Sequence, residues 1–207
     1  MKFFSKSKFL WIGAFLGITA QLLGKLNGTV FGNKWGLSGL LSNLDIWPLI
    51  ILFVLYRGKP TPKQMFRDLL FLFIGLDVAY YAYTSIKSAI QFYEAGYLEY
   101  LGVNLFEDFV DCLIYTFIGF AAGIWGYFMT KFRNAGRKFK YYAMVCPFFI
   151  VQIYLLISNL VYIKLLLGTF ILDMLCLMVL SYLYIIKSPL KNKTLSECLG
   201  DVTCVNA

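Results

Sequence analysis

The chain has no histidine, and only 14% of its 207 residues are charged. Histidine is the commonest general base and the commonest metal ligand near neutral pH. Its absence excludes serine–histidine, cysteine–histidine and histidine–metal enzymes. Carboxylates alone can serve as acid and base, but no paired acidic motif of the phospholipid-synthase type is present. The chain is therefore expected to be no enzyme and to carry no metal or cofactor. Soluble domains average about 25% charged and about 45–50% apolar residues, whereas this chain is 60% hydrophobic and 19% aromatic. The charged residues are confined to short blocks between long apolar stretches, which leaves no room for a separate soluble domain. The sequence also lacks an internal repeat and a low-complexity tract, and no small-residue cleavage site follows the basic, apolar opening "MKFFSKSKFLWIGAFLGITAQLL". That opening is read as a retained first span.

A hydrocarbon layer about 30 Å thick needs about 20 helical residues, and six segments meet or approach this length. They are Phe9 to Leu23, Leu37 to Tyr56, Leu69 to Ile86, Phe109 to Met129, and two within Tyr141 to Ile186. The last block, roughly 69 Å as one helix, must fold back once, at Ser158-Asn159 or at Tyr162 to Lys164. Positive residues gather on the cytoplasmic side of short loops. Fifteen Lys and Arg fall before Phe9, in 57–67, in 131–140 and in 187–193, against Lys25, Lys34, Lys87 and Lys164 on the other side. The expected fold is an all-α integral membrane protein: a six-transmembrane-helix bundle over residues 1–188, with both termini cytoplasmic and a tail at 189–207. The isoleucine-, lysine- and tyrosine-rich usage points to a bacterial cytoplasmic membrane. The net charge of +8 borders apolar spans, so it sets orientation and meets lipid headgroups and does not signal nucleic-acid binding.

Between spans, "RGKPTPKQ" (57–64) and "KFRNAGRKFK" (131–140) are basic loops, read as topology determinants or as docking sites for lipid or a partner subunit. In 87–104, Ile90, Tyr93, Tyr97 and Tyr100 recur at helical intervals, as in a surface amphipathic helix or a short capping loop. Gly13, Gly17 and Gly24, with Gly119, Ala122, Gly123 and Gly126, are small residues at spacings that allow close helix contact, read as packing in preference to a homodimer face. Asp45 and Pro48 in "LLSNLDIWPLII" suit either a broken helix at a binding site or a short re-entrant helix. "NGT" (27–29) is a glycosylation triplet only in a eukaryotic host. "GLSG" (36–39) looks like the serine loop of intramembrane proteases without the histidine that loop needs. Cys112, Cys146 and Cys176 are read as small packing residues. Cys198 and Cys204 fall in a cytoplasmic tail, where a stable disulfide is disfavoured.

The informative residues are polar ones inside apolar runs. An aspartate at mid-membrane costs about 2.5–3.5 kcal/mol, while Leu, Ile, Phe and Val each return about 0.3–0.6. Asp77 lies at the middle of "FLFIGLDVAYYAY" and Asp173 near the middle of the last span. Gln152 falls at the same depth if the turn is the later candidate. Helical spacing aligns Asp77 with Tyr80, Tyr81 and Thr84, Asp173 with Thr169, Cys176 and Tyr184, and Gln152 with Asn159. Such stripes either fix packing through interhelical hydrogen bonds, worth about 0.6 kcal/mol each, or line a path for substrate or protons. On the second reading Asp77, Asp173, Gln152, Tyr80, Tyr81 and Tyr184 bind a small molecule or ion, and Asp111 with Lys164 forms an outer gate. The alternative function is a non-transporting membrane interaction protein: an immunity protein, sensor or assembly factor.

The stretch Leu41 to Thr84, with "NLDIW", a basic loop and "GLDVAYY", resembles an uncharacterised family of multi-spanning bacterial membrane proteins, over about a fifth of the chain. This resemblance implies no functional residues. In size and span number the chain also looks like the membrane substrate-binding subunit of energy-coupling-factor vitamin importers, a likeness of architecture alone.

Overall fold

The computed structural model describes residues 8–26, 29–30, 50–51, 60–161 and 167–182. Every regular element among them is helical: α1 (Lys8–Gly24), α2 (Pro62–Ala95), α3 (Leu101–Asn134), α4 (Lys138–Val161) and α5 (Leu167–Ser181), with a 3-10 turn at Leu98–Tyr100. Among the described residues, three helices are long and apolar enough to cross a membrane, namely Pro62–Ala95, Leu101–Asn134 and Lys138–Ser158 within α4. The segment Leu37 to Tyr56, with Asp45 and Pro48, lies outside the described residues except for Ile50 and Ile51, which join the core.

Local chemistry fixes where α2 begins and ends. Thr61 accepts from the Gln64 backbone N–H at 3.3 Å while the Gln64 side chain accepts from the Thr61 N–H at 2.9 Å, and Pro62 occupies the first turn. This reciprocal pair satisfies two amides that a helix start otherwise leaves open. No proline follows, and the helix runs through Gly75 to Gly96, whose φ of 74° ends it as the Tyr97 N–H reaches back to the Phe92 carbonyl at 3.0 Å. The expected surface helix or capping loop at 87–104 is therefore neither. Residues 87–95 prolong α2, residues 101–104 open α3, and a five-residue turn joins two antiparallel helices of 34 residues each. The basic segment 131–140 is likewise mostly helix ends around a tight turn. Gly136 has φ 65°, and the Arg137 N–H bonds the Phe132 carbonyl at 3.0 Å. The helix α4 runs through Ser158 and Asn159, which removes the earlier of the two candidate turns and leaves the connection to 162–166, outside the described residues.

Glycines set how closely the helices approach. At Gly13 a Cβ would sit 1.9 Å from the Leu72 carbonyl oxygen, at Gly17 2.3 Å from that of Leu76, and at Gly75 2.0 Å from that of Leu10. The α1 and α2 backbones therefore touch where only hydrogen fits. On the other side of α2, Phe73 seats against Gly119, Phe66 against Gly123, and Leu69 with Met65 against Gly126. The two stripes expected to mediate packing do so within the chain. Gly24 is the exception, with open space around it.

The apolar core gathers at one end of the bundle. Phe9 from the start of α1, Met65, Leu69 and Leu72 from the first half of α2, Met129 from α3, Tyr141 and Val145 from α4, and Leu180 from α5 are all buried. That end carries the basic turn at 135–137. Trp125 fastens α4 to α3 by donating from Nε1 to the Met144 carbonyl at 3.1 Å. Buried Arg133 donates to the Pro60 carbonyl at 3.4 Å, tying the end of α3 to the entry of α2. Large apolar side chains such as Phe106, Phe109, Phe117 and Ile118 stand exposed along α3. A contiguous apolar face of this kind suits a hydrocarbon environment.

Candidate functional site

The polar side chains that the sequence singled out fall into two clusters. The first lies along the α2–α3 seam. Asp77, in the middle of α2, is buried and accepts from Thr116 Oγ1 of α3 at 3.4 Å. Eight residues further along α2, Ser85 donates to Asp108 Oδ2 at 2.7 Å, and Asn104 reaches the same oxygen at 3.4 Å. Thr116 and Asp108 are also eight residues apart, so both bonds obey a single antiparallel register, about 12 Å apart along the helix. Between them the Tyr81 ring lies 6.1 Å from that of Tyr115.

The expected single face of Asp77, Tyr80, Tyr81 and Thr84 is divided between two neighbours. Asp77 and Tyr81 turn to α3. Thr84 turns to α1, where Gln21 Nε2 donates to its hydroxyl at 2.5 Å and approaches the Tyr80 carbonyl at 3.5 Å. The Tyr80 ring keeps contact with Tyr81, their centroids 5.2 Å apart. At 3.6 residues per turn Tyr81 and Thr84 fall on opposite flanks of Asp77, by about 40° and about 20°, so the boundary between the α3 and α1 contacts runs through one face.

The second cluster joins α4 to α5. Gln152 and Asp173 are both fully buried, at 0% exposure. Gln152 Nε2 donates to the Asp173 backbone carbonyl at 3.2 Å and to its Oδ1 at 3.4 Å, which puts the two residues at one depth, as the later turn required. Cys176, three residues on, is buried too. Gln152 Oε1 is buried and has no hydrogen-bond partner among the described residues. The amide cannot relieve this by turning over, because Oε1 would then face a backbone carbonyl, which only accepts.

The remaining sites are quickly placed. Asp111 is exposed, and Lys164, its proposed gate partner, lies outside the described residues, as do Tyr184, Cys198 and Cys204. Cys112 is half-buried and Cys146 exposed, so Cys146 faces away from the core and does not pack within it. No group of three His, Cys, Asp or Glu able to hold a metal ion occurs among the described residues. Sequence reasoning missed Thr116, Ser85, Asn104 and Gln21, the partners that complete the first cluster. The signal that finds them is the register of the α2–α3 hairpin, which needs the turn at Gly96 to be recognised first.

The arrangement places two buried carboxylates, each within reach of a polar side chain of a neighbouring helix, inside otherwise apolar helices. Comparison with protein-family models, with curated proteins and with solved structures gives no match to this chain.

Proposed function

We propose that the chain is a multi-pass protein of the bacterial cytoplasmic membrane, with six spans and both termini cytoplasmic, that binds a small molecule or ion among its helices as a transporter or as the membrane subunit of one. The observation that carries this reading is the burial of Asp77 and Asp173 in apolar helices, each beside a polar side chain of the neighbouring helix. An intramembrane carboxylate costs several times the roughly 0.6 kcal/mol that one interhelical hydrogen bond returns. Packing alone is therefore a poor reason to keep two of them, and a bound solute or ion is a better one. Asp77 and Asp173 act as ligands or proton carriers, while Gln152, Tyr80 and Tyr81 orient the bound species.

The test is flux through proteoliposomes carrying the full chain, followed with radioactive sodium, with rubidium and with an internal pH dye. The wild type moves at least one of the three. The Asp77→Asn/Asp173→Asn double variant, eluting as folded protein from a sizing column, moves it at under a tenth of the wild-type rate. A folded double variant with unchanged flux refutes the reading.

One observation favours the second reading, a membrane interaction protein that transports nothing. Asp77 bonds α3, whereas Asp173 bonds α4, two contacts made to different helices. Two separate polar ties suit a scaffold. On that reading the basic ends at 57–67 and 131–140 are the docking surface, and the double variant behaves as wild type while charge reversal at Arg137 and Lys138 abolishes function.

A further inference from the structure

We infer that Asp77 is a proton-binding site, a carboxylic acid held beside Thr116 in the α2–α3 seam with the proton itself as its ligand. The assignment rests on the reading of the helix interior as ligand-bearing and names the ligand class for the first of its two clusters. Asp77 is 3% exposed, in the middle of α2. Among the described residues no lysine or arginine pairs with it, and its side-chain hydrogen bond is the Thr116 contact. The titratable side chains that feel its charge are Tyr81 on the same helix and Cys112 on α3, while Asp111 of α3 acts on Tyr81. None of these can be positive. On the α1 side the one charged residue of the helix is Lys8, nine residues before the Gly17 that meets Leu76. A buried ion needs a counter-charge or it gives up its charge, and a carboxylate gives it up by taking a proton.

The same seam holds a second aspartate for comparison. Asp108, less buried and near the Gly96 turn, accepts from Ser85 at 2.7 Å and from Asn104 at 3.4 Å. A hydroxyl donating to an ionised carboxylate closes to about 2.5–2.7 Å, which the Ser85 contact reaches. The Thr116 hydroxyl stands 3.4 Å from Asp77 in the same register, a loose contact that does not offset a charge. Other occupants fit poorly. Calcium takes about six to eight oxygens, and magnesium demands a near-ideal octahedron. Asp77 and Thr116 offer a carboxylate and one hydroxyl, because α2 and α3 run unbroken past the site and their carbonyls are committed to helix bonds. An organic solute needs room, and the seam closes one turn to either side. Phe73 packs so tightly on Gly119 that a Cβ there would lie 2.3 Å from the Phe73 Cβ, and the Tyr81 and Tyr115 rings meet at 6.1 Å. A water would hydrogen-bond the carboxylate and leave its charge in place. A proton needs one lone pair and removes the charge, as in the carboxyl relays of membrane pumps and transporters.

The experiment is infrared spectroscopy of the purified full chain at pH 7 in a maltoside detergent, which has no carbonyl of its own. The carbonyl stretch of an un-ionised carboxylic acid lies clear of the amide and carboxylate bands. The wild type is expected to show it, with the downshift in D2O that marks an exchangeable proton, and folded Asp77→Asn to lose about half of its area or more. Where Asp77→Asn does not fold, the wild type is treated with dicyclohexylcarbodiimide, an apolar reagent that adds to protonated carboxyls, and the adduct is located by peptide mass spectrometry. Modification is expected at Asp77, about tenfold or more above that at Asp108, and falls about tenfold or more between pH 6 and pH 10. An acid band equal in the wild type and folded Asp77→Asn overturns the inference, as does carbodiimide modification of Asp77 that is absent or indifferent to pH. The acid band at Asp77 without flux of any ion leaves the proton site standing and defeats the transport reading. Sodium or rubidium flux with no acid band at Asp77 does the reverse. If both stand, the internal pH dye is the flux signal that Asp77→Asn alone abolishes.

Discussion

Gly13→Ala and Gly75→Ala are expected each to lower the apparent Tm of the detergent-solubilised protein by 5 °C or more, and the larger Gly13→Leu and Gly75→Leu to yield little folded chain. The added Cβ would stand 1.9 Å from the Leu72 carbonyl oxygen at Gly13 and 2.0 Å from the Leu10 carbonyl oxygen at Gly75. A side chain could rotate away from such an intrusion, but a helix backbone can only translate. Overpacking a core typically costs about 1–3 kcal/mol. This crossing lies at or above the top of that range, because α1 and α2 must separate along their shared length. At about 2–4 °C per kcal/mol for a chain of this size, that cost gives the stated shift. The control is Gly24→Ala, where nothing lies within 4 Å of the new methyl, and it leaves Tm within about 2 °C. Equal shifts at Gly13 and Gly24, measured by thermal size-exclusion chromatography, would mean that α1 does not rest on α2 through these glycines.

The second large effect concerns insertion. Asp77→Leu exchanges a cost of about 2.5–3.5 kcal/mol for a gain of about 0.3–0.6, so the isolated α2 segment should insert more readily by about 3–4 kcal/mol, roughly a hundredfold or more in the ratio of inserted to translocated chain. The nine Leu, Ile, Phe and Val residues of Leu69 to Ile86 contribute roughly 4 kcal/mol, which leaves the wild-type segment near balance. Balance is where a neighbour matters. Thr116 meets Asp77 across a five-residue turn, so the wild-type segment inserts more completely as the α2–α3 hairpin than alone, and Thr116→Val removes part of that advantage. A glycosylation-tag insertion assay on segments with and without α3 reads all three. Equal insertion of Asp77→Leu and wild type, both as α2 alone, would place Asp77 outside the apolar layer.

Much of this is legible in the sequence. The apolar runs announced helices, and the spacing of Gly13 and Gly17, and of Gly119, Gly123 and Gly126, announced close packing, because small residues one turn apart have few other uses on an apolar helix. Chain length puts Gln152 and Asp173 at one depth only if the turn is the later of the two candidates, and the sequence leaves both open. Gly75 was not legible, because it answers Leu10 on another helix and belongs to no repeating stripe of its own. Nor was the division of the Asp77 face between α1 and α3, which depends on which helices flank α2. The continuation of α2 to Ala95 was hidden by the tyrosines and charges after Lys87. They look amphipathic in isolation, but they belong to one continuous helix of 34 residues, whose length of about 51 Å exceeds the roughly 30 Å that an apolar layer requires.

The depth assigned to Asp77 and Asp173 depends on α2, α3 and α4 crossing the membrane in turn, and two reporter insertions test this directly. Gly96 and Gly136 are exposed, positive-φ turn residues with open space around them, so a short tag at either should leave the helices intact. Side-specific labelling in intact cells is expected to find the tag at Gly96 outside and the tag at Gly136 on the cytoplasmic side, with the basic residues. Both tags on the same side would mean that α3 does not cross, and the membrane-embedded acidic sites would go with it.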